Sequence, residues 1–135
     1  MQIGGADELY HFPVDRSVAE FLGAMNEFEG AVQNNRGVNI ALGALNCVIP
    51  NGVTGEVIVA IRPEDVSLSR EPHGCTNEFP AQLVSRLFLG DITLYHLSVN
   101  GKKLRGKTAG MDRQLEPGSS IYVRLPAEKL KIFPK

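Results

Sequence analysis

Residues 93–108 read TLYHLSVNGKKLRGKT, and the interpretation of this stretch decides the fold. Its last eight residues, Gly101 to Thr108, fit the phosphate-loop pattern G-x-x-x-x-G-K-[ST]. In a nucleotide-binding protein such a string leaves a strand and opens a helix. Backbone N–H groups then cradle the phosphates, the lysine (here Lys107) reaches the terminal ones, and the hydroxyl of Thr108 meets magnesium. The residues on either side argue for something else. Tyr95, Leu97 and Val99 alternate with Leu94, His96 and Ser98, the period of a strand with one buried face. Asn100-Gly101 is a strong two-residue hairpin signal, because both positions tolerate positive φ. After Thr108 comes AGMDRQLEPGSS, with Gly110, Pro117 and Gly118 and no helical apolar period, so no helix N-terminus is offered to a phosphate. Residues 101–108 therefore read as the return arm of a β-hairpin, and the motif match is accidental. Lys102, Lys103, Arg105 and Lys107 become charges on a solvated hairpin that guards a sheet edge. They are also the candidate contacts for an anionic ligand or partner.

Working outward, the same two-residue period recurs. Val38, Ile40 and Leu42 alternate with Asn39 and Ala41, and NCVIPNG ends in Asn51-Gly52, a second hairpin signal. EVIVAI is apolar on both faces over Val57 to Ile61 and reads as the most buried strand; Pro63 then forces a turn in RPED. QLVSRLFLGD is ambiguous between strand and helix, with Gly90 closing it. In IYVRL, Ile121, Val123 and Leu125 face one way. Short strands punctuated by Gly, Pro and Asn predict a small β-barrel or sandwich. The opening residues differ. ADELYHFP reads as a helical turn closed by Pro13. Ser17 and Glu20 have capping-box spacing, and Val18, Phe21, Leu22 and Met25 form one stripe of a two-turn helix. No internal repeat stands out beyond the recurrence of strand and turn.

A length of 135 residues suits one compact domain. The net charge of −1 argues against a general grip on nucleic acid, and 7% aromatic residues leave few platforms for stacking bases. No apolar run approaches the roughly 20 residues of a membrane span, so no direct membrane insertion is expected, and no signal peptide is read at the start. Cys47 and Cys75 lie outside any C-x-x-C pattern and read as reduced thiols. His73 precedes Cys75 in EPHGC, but two potential ligands fall short of the set zinc needs. No metal and no cofactor are expected. Glu64 and Asp65 are adjacent, so in an extended chain they point to opposite faces, and no nucleophile constellation is visible. The chain is not expected to be an enzyme. The Pro-Gly loop at 71–77 is a candidate lip for a small ligand.

Three stretches carry a family resemblance. QIGGADELYHFPVDRSVAEFLGAMN resembles the segment that follows the nucleotide-binding core in ABC-transporter ATPase subunits of the polyamine, iron and sugar importer group. VAIRPEDVSLS resembles the central motif of their C-terminal TOBE (transport-associated OB) domain. FLGDITLYHLSVNGKKL and LKIFPK are similar to that domain's later Leu-Gly turn, hairpin and closing strand. The resemblance implies an all-β fold with a short N-terminal helical segment, an OB-type β-barrel. Residues 1–25 would be a helical connector and 26–135 the TOBE regulatory domain. The implied function is non-catalytic, regulatory and dimerising, within an importer of polyamine (spermidine/putrescine) type. The implied partners are a second copy of the subunit and, through the full-length protein, ABC permeases; nucleic acid is not one. The implied location is cytoplasmic, peripheral to the inner face of the membrane.

Arg62, Pro63 and Glu64 match the motif triplet, and Gly90 matches the Leu-Gly turn. Physically, Pro63 sets a corner, Arg62 and Glu64 can bond neighbouring backbone, and Gly90 supplies a conformation barred to larger residues. A Ser-Ala-Arg-Asn anion motif, as in molybdate-binding relatives, is absent. The alternative reading is a small-ligand or oxyanion-sensing OB module.

Overall fold

The computed structural model describes residues 25–135. Strands β1 (Asn26–Asn34), β2 (Gly37–Ile40), β3 (Gly43–Asn46), β4 (Glu56–Ile61) and β5 (Ser67–Ser69) make up the first half. Strands β6 (Glu78–Phe88), β7 (Ile92–Val99), β8 (Lys102–Ala109), β9 (Ser120–Arg124) and β10 (Lys131–Pro134) make up the second. One 3₁₀ turn, Pro63–Asp65, precedes β5 and another, Ala127–Lys129, precedes β10. The helical stripe Val18, Phe21 and Leu22 and the connector 1–25 lie outside the described residues, apart from Met25.

The stretch at 93–108 is a hairpin. Asn100 and Gly101 take φ of 51° and 77°, and Val99 pairs with Lys102 across the turn. Both residues must enter the left-handed region for so tight a turn, which only Gly and Asn do cheaply. VNIAL buries Val38, Ile40 and Leu42 as its alternation predicts, although the strand stops at Ile40 and Ala41-Leu42 form the turn into β3. Asn51-Gly52 is a turn but not a hairpin, because β3 and β4, on either side of it, are not neighbours in their sheet. QLVSRLF is strand. Its alternation is hidden by an irregularity between Leu83 and Ser85, where the pairing register shifts and Val84 is left outside it.

The strands form two curled antiparallel sheets, ordered β10-β4-β1-β2-β3 and β5-β9-β6-β7-β8. These orders reveal an internal repeat that the sequence did not announce. Replacing β1, β2, β3 and β4 by β6, β7, β8 and β9 turns one sheet into the other. The last strand of each half is exchanged: β5 pairs with β9, and β10 pairs with β4. The registers superpose as well. Val38 pairs with Leu45 where Leu97 pairs with Leu104, and Asn26 pairs with Ile61. In the second half, the backbone N–H of Leu125 donates to Asn77 O (3.0 Å). The core between the sheets takes Val57, Val59 and Ile61 from one half and Ile121, Val123 and Leu125 from the other, each 2% exposed or less. This interleaved burial of β-branched and leucine side chains is the main source of stability.

Candidate functional site

Along β8, side chains alternate, so Leu104 and Gly106 point inward and are buried. Lys103, Arg105 and Lys107 share the outer face, while Lys102 falls on the other side. β8 is an edge strand, as the charged-hairpin reading expects. Arg105, however, is not a solvated guard. Its backbone N–H donates to Asn26 Oδ1 and its carbonyl accepts from Asn26 Nδ2, both at 2.9 Å. Its guanidinium also donates to the carbonyl of Met25 at 3.3 Å. The carboxamide of Asn26 thus imitates one residue of a neighbouring strand and covers the edge at that point. Asn26 is 4% exposed.

The second half's counterpart does the same to the other sheet. Asn77, with φ of 63°, accepts from the N–H of Asn46 (2.8 Å) and donates to Asn46 O (2.9 Å) and Leu125 O (3.0 Å). Asn46 stands in β3 where Arg105 stands in β8. Sequence reading passed over both asparagines. The signal available was the repeated tripeptide Asn-Glu-Phe at 26–28 and 77–79.

Beside Asn26 lies a cleft of about 650 Å³, lined by Phe28, Ser85, His96, Lys103 and Arg105 among others. His96 sits directly across the hairpin from Arg105. Burial first, then the charges of Arg105 and Lys103, hold its imidazole pKa below the ordinary value of 6.5, so it is neutral at pH 7. An anion entering the cleft would lift that pKa back. The matching cleft of the first half is about 350 Å³ and is lined by Asn34, Arg36, Gly37, Ala44, Asn46 and Asn77. Where the second half has His96, Lys103 and Arg105, the first has Gly37, Ala44 and Asn46.

The motif triplet lies close to this strand. The 3₁₀ turn Pro63–Asp65 is closed by backbone bonds from Asp65 N to Arg62 O (2.9 Å) and Val66 N to Pro63 O (3.2 Å), without a side-chain cap. Pro63 is buried, and Arg62 and Glu64 are exposed. The turn packs against β8, and the leucine that follows, Leu68, lies over Gly106. Gly90 is elsewhere, at the far tip of β6–β7, with φ of 102°. The structure therefore brings the triplet to the basic strand and leaves Gly90 apart from it.

Two other candidates are occupied internally. In the 71–77 loop, the Glu78 carboxylate accepts the amides of His73 (2.9 Å) and Gly74 (2.9 Å). These bonds, that from His73 foremost, hold its pKa below the usual carboxylate range. His73 Nε2 lies 2.9 Å from Ser69 Oγ. Cys47 is buried and Cys75 exposed, both as free thiols. Among the described residues, no group of three His, Cys, Asp or Glu could hold a metal ion, and no helix is long and apolar enough to cross a membrane. Thr108, which a phosphate loop would aim at magnesium, has a buried hydroxyl with no hydrogen-bond partner among the described residues.

Comparison with known proteins gives a consistent picture. The TOBE domain profile matches residues 59–133, more than half of the chain. The molybdate/tungstate import ATP-binding protein WtpC of Pyrococcus abyssi is 32% identical over 98% of this chain and 39% of its own length. The putrescine transport ATP-binding protein PotG of Escherichia coli is 32% identical over 77% of this chain and 30% of its own. The spermidine/putrescine import ATP-binding protein PotA of Roseobacter denitrificans is 32% identical over 90% and 37%. The chain thus spans between 30% and 39% of the length of these relatives. Among solved structures, the cytoplasmic molybdate-binding protein ModG aligns with a TM-score of 0.68 at 16% identity, covering 84% of this chain and 98% of that one, a likeness of fold.

Proposed function

The chain belongs to the TOBE domain family, and on that premise we propose that it is the non-catalytic regulatory and dimerisation part of an ABC importer's ATP-binding subunit. The observation that carries this reading is the match to import ATP-binding subunits along 98% of the chain but only 39% of the relative. Each half is then an OB-type barrel, completed by an exchanged strand and an asparagine carboxamide. Residues 1–25 act as the connector and 26–135 as the regulatory domain. Its partners are a second copy of the subunit and, through it, membrane permeases, with the domain on the cytoplasmic side. Polyamines are the favoured cargo of the parent transporter, given the relatives named for putrescine and spermidine. Pro63 and Gly90 set the backbone, while the exposed Arg62 and Glu64 are available to the neighbouring subunit. The hairpin geometry of residues 101–108 supports the absence of nucleotide chemistry. Isothermal titration of the chain with MgATP is expected to give no binding; micromolar affinity that disappears in Lys107→Gln would overturn the reading.

A second reading is favoured by the basic cleft: the domain senses a small anion through Lys103, Arg105 and His96. Thermal-shift measurements with molybdate, phosphate, spermidine, a ferric chelate and a sugar separate the two. A ligand that binds the folded state raises the melting temperature. A shift with an oxyanion that is lost in Lys103→Ala supports sensing, and no shift at a thousandfold excess removes it.

A further inference from the structure

The two halves part company at one hairpin. In the first, Asn34 and Gly37 pair across a tight turn. In the second, the matching residues Ser85 and His96 are followed by further pairs, Arg86 with Tyr95, Leu87 with Leu94 and Phe88 with Thr93, so an arm extends beyond the shared plan. Its tip is apolar and open to solvent: Leu87, Phe88 and Leu89 are 41–45% exposed. A bond from Gly110 N to Asp91 O (2.7 Å) brings the end of β8 to the β6–β7 turn, and the next residue, Met111, is 40% exposed. Four large apolar side chains thus share one projecting end. The charged residues that flank these in the chain and in the β7–β8 pairing are of both signs: Asp91, Asp112 and Arg113, all exposed, and the half-exposed Lys107.

A rim of mixed sign narrows the choice of partner. A polyanion or a strongly acidic surface would be repelled by the two aspartates, and a basic one by the lysine and arginine. A copy of the same tip, turned about a two-fold axis, meets apolar with apolar and can set acid against base. We propose that the arm tip is a self-association surface, on which two copies of this chain pack tip to tip. The inference rests on the dimerisation reading above and names the surface that serves it. The patch is smaller than the roughly 800 Å² per partner of a standard interface, so the contact is weak alone and adds to whatever else joins two subunits.

Sedimentation equilibrium of the 135-residue chain tests it. The expected result is a reversible, concentration-dependent monomer–dimer equilibrium that Leu89→Asp weakens at least tenfold, while the melting temperature at a dilution where both chains are monomeric stays put. Two charge-reversed variants, D91K/D112K and K107E/R113E, should each dimerise poorly and form a mixed dimer when combined. A dimer indifferent to Leu89→Asp overturns the surface and leaves the dimerisation reading standing. A chain that remains monomeric at every concentration overturns both. Loss of the dimer in Leu89→Asp without rescue by the mixed charge variants overturns the two-fold geometry, and with it the proposal.

Discussion

The hairpins β2–β3 and β7–β8 occupy matching places in the two sheets, yet one is short and largely neutral and the other long and basic. Their inward positions agree: Val38 and Leu97, Ile40 and Val99, Leu45 and Leu104 are all buried. Their outward positions diverge, with Gly37, Ala44 and Asn46 in one and His96, Lys103 and Arg105 in the other. Folding constrains only the inward set, because burial supplies the free energy and register locks every second residue to the core. The outward set is free to vary, and only the second half carries His96, Lys103 and Arg105 at these positions.

The strongest challenge to this equivalence is a matched pair of core truncations. Ile61→Ala and Leu125→Ala remove fully buried side chains at corresponding places, and each should cost about 3–4 kcal/mol in urea unfolding. A large disparity between them would show that the halves are packed differently despite their shared order. Next come the asparagines. Asn77→Ala strips three hydrogen bonds from Asn46 and Leu125 and should cost about 2–3 kcal/mol; Asn26→Ala should cost no more, having two bonds to the Arg105 backbone. If either is neutral in chemical denaturation, the edge-covering role assigned to it is wrong.

Smaller effects sharpen the contrast within the basic hairpin. A Cβ at Gly106 would meet Leu68 at an ordinary 3.5 Å, so Gly106→Ala should change stability by no more than about 0.5 kcal/mol. Gly101→Ala forces a side chain into positive φ and should cost about 1 kcal/mol or more by the same measurement. The least effect concerns pH. Because the folded state depresses the His96 pKa, the unfolded chain binds more protons just below pH 6.5. Stability should therefore fall slightly as pH drops from about 6.5 toward the lower folded value, and His96→Gln should flatten that slope. The first half, with Gly37 at this place, contributes nothing to it. A slope unchanged in His96→Gln would assign it to another group.

Much of this could be read from residues alone wherever one local rule dominated. Alternation and an Asn-Gly turn were enough for β7–β8, and apolar continuity marked β4. Where two rules competed, reading stalled. The register shift beside Val84 breaks the alternation of β6, and Asn51-Gly52 makes a turn whose flanks belong to strands that do not pair. The repeat stayed hidden for a different reason. The spacing between matching residues grows from Asn26 and Asn77, through Gly37 and His96, to Ile61 and Leu125, because the arm and the loop after β8 are longer in one half. What matches is inward apolar character, which many sequences satisfy, and one tripeptide. Of the candidate site, the four basic residues were visible and the Asn100-Gly101 hairpin sets His96 opposite Arg105, but only contact between the sheets could join them to Asn26.

The exchange of β5 and β10 couples the order of synthesis to assembly. Val57 to Ala60 leave the ribosome early, yet their outer neighbour, Lys131 to Pro134, follows the other four strands of the second half. The first sheet therefore keeps an open flank throughout translation of the second, and an open strand edge invites pairing with other chains. Trimming four residues from the end of the second half would leave its defect in the first.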